Sequence, residues 1–295
     1  MNTNRYFSFS RLGLVMKRDF MENWKTNLYT FLGISLAFLL VYLLYMNDSN
    51  GSSNGFINDH AGAFASITSF LLVYFASETM KNMRTKEQRF SYLMLPATSL
   101  EKFVSRALYV TVGMFVMILL ASLLAEVVRW AFMPFFDQMP DELKMCMWPD
   151  AWRNILETIN PFQTKTFVMA NEGITVEKSL FFEIMLVYWM AFWWHSLFIL
   201  GGNYFGKYAF FKITGVIILV AILLAMGISH IDFDFGPGTF EWLDEFMRNN
   251  EDWLNENFVA GVITFIFLCF TAFNWWLSYK FFTRQQVIKP KFRLL

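Results

Sequence analysis

The hydrophobic positions of this chain are collected into six long runs that contain no Asp, Glu, Lys or Arg. The runs cover residues 26–47, 61–77, 107–125, 184–206, 213–231 and 257–279. At a rise of about 1.5 Å per residue, each helix crosses most or all of a hydrocarbon layer about 30 Å thick. The pattern predicts an all-α integral membrane protein with six transmembrane helices, at residues 27–46, 61–79, 104–126, 181–202, 213–230 and 258–280.

A different, amphipathic pattern precedes the first run and predicts a helix over residues 7–25. At about 100° per residue, one face collects apolar side chains and the other collects charges. The apolar face consists of Phe9, Leu12, Met16, Phe20 and Trp24. Basic residues beside a Trp near the turn into the bilayer are typical of a helix lying in the membrane surface. Packing of this helix against a soluble partner is the alternative.

Charge changes the picture by giving the spans a direction. The chain has 24 basic and 24 acidic residues, and 18 of the basic ones fall on one side of the six spans when the N-terminus is cytoplasmic. Because lysine and arginine favour the cytoplasmic side, we expect both termini in the cytoplasm. The membrane we expect is the plasma membrane, the inner membrane of a bacterium. No cleavable signal peptide is evident, so the first span should remain as an anchor.

The segments between the runs predict two external features. Residues 127–179, rich in tryptophan and proline, predict a small external cap with short helices, and residues 239–256 predict an amphipathic helix at the outer interface. No repeat or linker separates a second domain, so residues 1–295 are interpreted as a single membrane domain. Cys146 and Cys269 are poorly placed to bridge each other, which excludes a disulfide framework.

The charged segment between the second and third runs contains the clearest local signals. Its residues 86–103 read KEQRFSYLMLPATSLEKF. Pro96 ends one helix, and Thr98 with Glu101 has the spacing of a capping box that starts the next. The segment therefore predicts a short helix, a proline corner and a capped helix leading into span three. Its apolar side chains need a cover, which is either the bilayer or a groove in a cytoplasmic protein.

These features resemble the membrane subunits of ABC transporters of the type-two exporter superfamily. The resemblance consists of the surface helix, the six spans and the pattern L-x-x-P-x-x-x-x-E-x-x-x-x-[KR], met here by Leu93, Pro96, Glu101 and Arg106. It implies that residues 7–25 are an elbow helix and that residues 84–101 are a coupling segment seated in a cleft of a separate ATPase subunit. The coupling residues it implies are Lys86, Glu87, Arg89, Phe90, Leu93, Met94, Pro96 and Glu101.

The resemblance also implies the partners. They are an ATP-binding-cassette ATPase, a second permease subunit that is identical or closely related, and membrane lipid; nucleic acid is not among them. The transported substrate stays open between lipid, peptide, amphiphile and glycan. A scaffold or assembly factor that binds a partner through the same segment but transports nothing is the alternative function.

The chain offers no constellation for reaction chemistry of its own. It has no G-x-x-x-x-G-K-[ST] loop, so ATP hydrolysis is expected in another chain, and this chain is predicted not to be an enzyme. No cofactor is expected. The histidines His60, His195 and His230 are too scattered to propose a metal site.

Few polar groups are predicted at membrane depth. His195, Trp194 and Asn274 are candidates for the lining of a translocation path. For His195 and Trp194, packing or bonding against a neighbouring helix is the alternative, and Asn274 could bond across a dimer seam. Glu126 and Arg129 predict a local pair at the outer end of span three.

Overall fold

A computed structural model describes residues 7–48, 53–132, 153, 156–157, 160–162, 164–168, 175–230 and 256–284. Within these ranges the α-helices are α1 (Phe9–Glu22), α2 (Trp24–Asp48), α3 (Ser53–Ser77), α4 (Lys86–Leu93), α5 (Ser99–Leu108), α6 (Met114–Phe132), α7 (Phe181–Phe205), α8 (Ala209–His230) and α9 (Glu256–Thr283). A 3₁₀ turn at Lys81–Met83 precedes α4, and a π-helical segment at Tyr109–Gly113 joins α5 to α6.

Among the residues that the structure describes, six helical segments are long and apolar enough to cross a membrane, which confirms the predicted all-α membrane fold class. Spans one to six are Trp24–Tyr45, Asp59–Met83, Ser99–Phe132, Phe181–Phe205, Ala209–Gly227 and Phe258–Thr283. Span three ends six residues beyond its predicted end. The helix can continue past Glu126 because Glu126 and Arg129 pair with each other inside the protein, which offsets part of the cost of burying two charges.

The described chain divides into two compact units. Unit 1 contains Met1–Asn160 and Tyr279–Leu295, and unit 2 contains Pro161–Ser278. The last helix, α9, contributes to both, because Tyr279 begins its unit 1 portion. The interpretation of the chain as one membrane domain stays a prediction.

The core of unit 1 lies between α2, α3 and α6. Phe38 and Tyr42 of α2 are fully buried and pack against Phe64 of α3 and Ile118 of α6. The Phe38 and Phe64 rings are stacked with centroids 6.1 Å apart. Small residues at Ala121 and Ala125 allow the helices to approach closely, as is common between membrane helices.

Unit 2 contains a tight helical hairpin formed by α7 and α8. Gly206 caps the C-terminal end of α7 with a φ of 67°, and Tyr208 has a φ of 56°, so two positive-φ positions on either side of Lys207 reverse the chain. Gly201 lies against the side chain of Ile213 across the hairpin. A Cβ at Gly201 would lie 2.3 Å from Ile213 Cγ1, so the two helices approach closely only because residue 201 is glycine.

Replacing Gly201 with alanine is expected to destabilise unit 2 by about 1–3 kcal/mol, because the added methyl overlaps Ile213 in a packed contact. The thermal midpoint of the detergent-purified variant measures this loss. Gly215→Ala is the matched control, since a Cβ at Gly215 meets nothing within 4 Å. Adding Ile213→Ala to Gly201→Ala should restore part of the loss; an equal midpoint for the two single glycine variants would contradict the close packing of Gly201 on Ile213.

Residues 127–179 were predicted to form an external cap, and the described part of this segment differs from that prediction. Residues 127–132 belong to span three, and two strands, β1 (Thr164–Val168) and β2 (Thr175–Ser179), form an antiparallel hairpin instead of short helices alone. Lys165 pairs with Lys178 and Phe167 with Val176 in its register. The rest of the cap falls largely outside the described residues, as do residues 239–255 of the predicted external helix and Cys146.

Candidate functional site

Two capped helices meet at the proline corner between spans two and three. Thr85 caps α4 in a box with Gln88, whose backbone N–H donates to Thr85 Oγ1 over 3.2 Å. Thr98 caps α5 in a second box with Glu101, which confirms the predicted capping box. Pro96 lies between the two boxes, so one helix ends and the next begins within a few residues.

The corner is cross-tied by reciprocal hydrogen bonds between α4 and α5. The Tyr92 hydroxyl donates to the backbone carbonyl of Lys102 over 2.9 Å, and Lys102 Nζ donates to the carbonyl of Leu93 over 2.7 Å. Burial raises the pKa of the Tyr92 hydroxyl, which keeps it a neutral donor. These bonds hold the end of α4 against the first turns of span three.

Glu101 fixes the surface helix to the same corner. Its carboxylate is fully buried and accepts hydrogen bonds from Arg11 Nη2 at 2.8 Å and from the backbone N–H groups of Ser8 and Thr98, each at 2.7 Å. One carboxylate therefore accepts hydrogen bonds from backbone N–H groups at the start of α1 and at the start of α5. Glu101 was predicted as a coupling residue, but it lies inside the site and positions its helices without being accessible to a docking protein.

Asp19 and Arg106 form a second connection between α1 and α5. Both are buried, and Arg106 Nη1 lies 3.6 Å from Asp19 Oδ2. Burial raises the pKa of the Asp19 carboxyl, and the nearby Arg106 charge opposes this effect. Arg106 Nε also donates to the carbonyl of Thr79 over 3.1 Å, so the last basic residue of the sequence pattern joins span three to the end of span two.

The face of α4 that points away from this framework is apolar with charged neighbours. Phe90 is 53% exposed and Met94 is 67% exposed, with Lys86 and Glu87 exposed beside them. Leu93 is half-buried and Pro96 is exposed. We call Lys86, Glu87, Phe90 and Met94 the α4 face.

Arg89 does not belong to the α4 face, although it was predicted as a coupling residue. It is buried, and its Nη2 donates to the carbonyl of Met83 over 3.3 Å. Arg89 therefore helps to hold α4 on the 3₁₀ turn that precedes it.

The elbow residues are distributed over two faces of α1 and the start of α2. Phe9, Phe20 and Trp24 are exposed, as a membrane-facing surface requires. Leu12 is buried together with Val15, and Met16 is half-buried, because this stripe packs toward α5. The predicted apolar face is wrong at Leu12, and the exposed apolar surface instead includes Leu14 and Met21.

The candidate path residues lie in unit 2. His195 and Asn274 are buried, whereas Trp194 is 39% exposed. Asn274 Nδ2 donates to Ser196 Oγ over 2.9 Å, and Asn203 Nδ2 bonds Ser278, so polar pairs join α7 to α9 within this unit. The amide of Asn274 is thus engaged inside the unit.

A buried charged cluster of unit 1 was missed by the sequence interpretation. His60, Glu126 and Arg129 are all fully buried; His60 Nε2 lies 3.3 Å from Glu126 Oε2, and Arg129 Nε donates to the same oxygen over 2.8 Å. Tyr42 stacks on His60 with centroids 3.9 Å apart and bonds Ser122 over 2.7 Å. The spacing of Glu126 and Arg129 signalled their pair, but no local signal connected them to His60. The cluster joins α2, α3 and α6.

Replacing Glu101 with glutamine is expected to lower stability by about 1.5–3 kcal/mol, because the charge-assisted bonds to Arg11 are lost while the amide still fits the capping box. The thermal midpoint measures the global loss. Trypsin cleavage after Arg11 measures release of α1, and it should become faster.

Glu87→Gln is the matched control for Glu101→Gln, since Glu87 lies in the first turn of α4 but is exposed. Glu87→Gln should change neither the thermal midpoint nor the rate of trypsin cleavage after Arg11 appreciably. Equal behaviour of the two glutamine variants would refute the positioning role of Glu101.

Comparisons of this chain with protein-family models, with curated proteins and with solved structures found no match.

Proposed function

We propose that this chain is the membrane-spanning permease subunit of an ATP-driven ABC exporter and that the α4 face docks in a cleft of a separate ATPase subunit. The observation that carries the proposal is the exposure of Phe90 and Met94 on a helix whose other side is tied to span three and α1. The α4 face is apolar, it lies outside the spans, and hydrogen bonds fix its helix to span three. Such a surface favours a binding role.

The composition of the α4 face fits a protein partner. Aromatic and methionine side chains are enriched in the centres of protein interfaces, and charged residues are typical of their rims. Phe90 and Met94 supply such a centre, with Lys86 and Glu87 as a rim of both signs. A purely lipid-facing surface does not require the acidic Glu87.

The framework behind the α4 face supports transmission of a displacement. A force on α4 reaches span three through the Tyr92 and Lys102 bonds, and it reaches α1 through Glu101 and Arg11. ATP binding draws the ATPase subunits together in this proposal, and the corner moves with span three as a rigid body. The driving energy enters through contacts of the α4 face that differ between the two states.

The rest of the assembly follows from the same proposal. A second copy or a close homologue completes the permease, with both termini in the cytoplasm and the chain in the plasma membrane. The path between the two copies includes the segment of α7 that contains Trp194 and His195.

Affinity purification of the tagged full-length chain in a mild detergent tests this function. The expected result is co-purification of an ABC ATPase, identified by mass spectrometry, with ATP hydrolysis in the purified sample. Co-purification of a different protein without ATP hydrolysis would instead support the scaffold alternative. Recovery of the chain without any ATPase, in every detergent that keeps it folded, would refute the proposal.

A further inference from the structure

A cavity of about 700 Å³ lies in unit 1 between spans one, two and three, in the halves of these spans nearest α1. This volume is within the range of about 300–1,000 Å³ that is typical of ligand sites. Of the residues discussed for the docking framework, Arg106 lines the cavity and the α4 face does not.

The length of the cavity matches one leaflet of a bilayer. On span one its lining extends from Thr26 to Ala37, which is about 17 Å along the helix axis. Half of a hydrocarbon layer of about 30 Å is about 15 Å, and the headgroup region adds to this. A molecule that fills the cavity from end to end is therefore as long as a leaflet lipid.

The cavity lining also changes along its length, from polar side chains near α1 to apolar side chains at the far end. The end near α1 is lined by polar side chains, namely Asn23, Asn27, Lys81, Asn82 and Arg106. The far end is lined by apolar side chains that include Ile34, Ala37, Ile67, Phe70 and Met114. This gradient fits an amphiphile with its headgroup near α1.

The polar end has a positive character. The Glu78 carboxylate is paired with Arg84 at 2.5 Å, whereas the exposed Lys81 takes part in no ion pair among the described residues. Arg106 is only 3% exposed, and its Nη1 has no hydrogen-bond partner among the described residues; its carboxylate neighbour, Asp19, lies at 3.6 Å. The exposed Lys81 ammonium, near a guanidinium that is already paired with Asp19, favours a ligand that supplies anionic oxygen.

The wall formed by span three is irregular where it meets the polar end. Tyr109–Gly113 is π-helical, and such turns occur frequently at functional sites. Tyr109 begins this turn, and its hydroxyl donates to Asn27 Oδ1 over 2.5 Å. The Arg106 guanidinium lies 5.2 Å from the centre of the Tyr109 ring, and both residues line the cavity.

We propose that this cavity binds one phospholipid of the leaflet adjoining α1. The phosphate lies at Lys81 and Arg106, and one acyl chain extends along spans one and two past Gly33 and Phe70. The proposal does not depend on the docking function, because it concerns a different surface of unit 1.

Two glycines allow a matched test. A Cβ at Gly33, which lines the cavity, meets nothing within 4 Å, so Gly33→Leu adds volume there without a collision at its first atom. A Cβ at Gly62 of span two also meets nothing within 4 Å, but Gly62 does not line the cavity. Gly62→Leu is therefore the control for a leucine in a span.

Native mass spectrometry of the full-length protein, supplied in detergent with phosphatidylglycerol or phosphatidylcholine, measures the bound lipid. The wild-type protein is expected to retain one phospholipid. Gly33→Leu should lower its occupancy about tenfold, and Gly62→Leu should not lower it. Lys81→Gln should weaken retention of phosphatidylglycerol about fivefold, because one cation near the phosphate is lost.

Equal retention by wild type and Gly33→Leu would overturn the proposal, as would equal losses in the two leucine variants. Absence of retained phospholipid in the wild type with both lipids would also overturn it. If the wild type retains both lipids and Gly33→Leu lowers their occupancy, the site recognises the phosphate and the acyl chain that the two lipids share.

Discussion

Replacing Phe90 and Met94 together with aspartate is expected to reduce the amount of co-purifying ATPase by at least about tenfold. The two side chains are the exposed apolar centre of the α4 face, and interface anchors of this kind contribute about 2 kcal/mol or more each. Aspartate adds charges that a docking cleft must desolvate, which opposes binding further. Immunoblotting of the purified complex against the ATPase measures the loss.

Leu156→Asp is the control for this experiment. Leu156 is 60% exposed and lies in the segment predicted to be external, so its replacement adds a charge at an exposed apolar position away from α4. The control and the double variant should both insert into the membrane at wild-type levels, because the α4 face makes none of the framework bonds through its side chains. If the double variant keeps the full ATPase complement, the α4 face is not the docking surface.

Replacing Arg129 with methionine is expected to destabilise the protein by about 3–5 kcal/mol. The change leaves the fully buried Glu126 without the guanidinium that bonds both of its oxygens, and an uncompensated buried charge is costly. The free energy of unfolding in mixed micelles of a mild detergent and dodecyl sulfate measures the effect. Adding Glu126→Gln to Arg129→Met should recover part of the loss, because the remaining charge is then removed.

Arg153→Met is the matched control for Arg129→Met. Arg153 makes an analogous pair with Glu157, but the two side chains are 78% and 59% exposed, and exposed pairs contribute about 0–1 kcal/mol. The difference between the two arginine variants in free energy of unfolding therefore measures the effect of burying the ion pair. If Arg129→Met destabilises no more than Arg153→Met, the cluster around Glu126 does not hold the spans together.

The spans were predictable from the sequence because their signal is local. A run of apolar residues long enough to cross a bilayer identifies a helix without reference to the rest of the chain. The capping box of Thr98 and Glu101 was predictable for the same reason, since its two residues lie three positions apart. Pro96 marked the corner between α4 and α5 by its own chemistry.

The environment of the candidate site was not predictable because it depends on residues far apart in the chain. The sequence pattern selected Glu101, but nothing local indicates that Arg11 and Ser8 bind its carboxylate. The family resemblance assigned Arg89 to the coupling segment, yet its guanidinium donates to the Met83 carbonyl inside the protein. A helix as short as α4 has too few turns for its pattern to fix which side is buried.

The same limit applies to His60 and to the cavity of unit 1. His60 stands at the start of a predicted span, where a histidine is commonly a boundary residue, and only the packing of α3 against α6 brings it to Glu126. The cavity residues belong to three helices whose faces a sequence pattern cannot align.

Photo-crosslinking from position 90 tests the central claim most directly. Phe90 is replaced by the photoreactive residue p-benzoyl-phenylalanine in the full-length chain, and Leu156 is replaced in the same way as the control. On irradiation of intact cells, position 90 is expected to form a covalent adduct with an ABC ATPase, identified by mass spectrometry, and position 156 is not. An adduct of position 90 with lipid alone, or an ATPase adduct that forms equally from position 156, would contradict the docking of α4 in an ATPase.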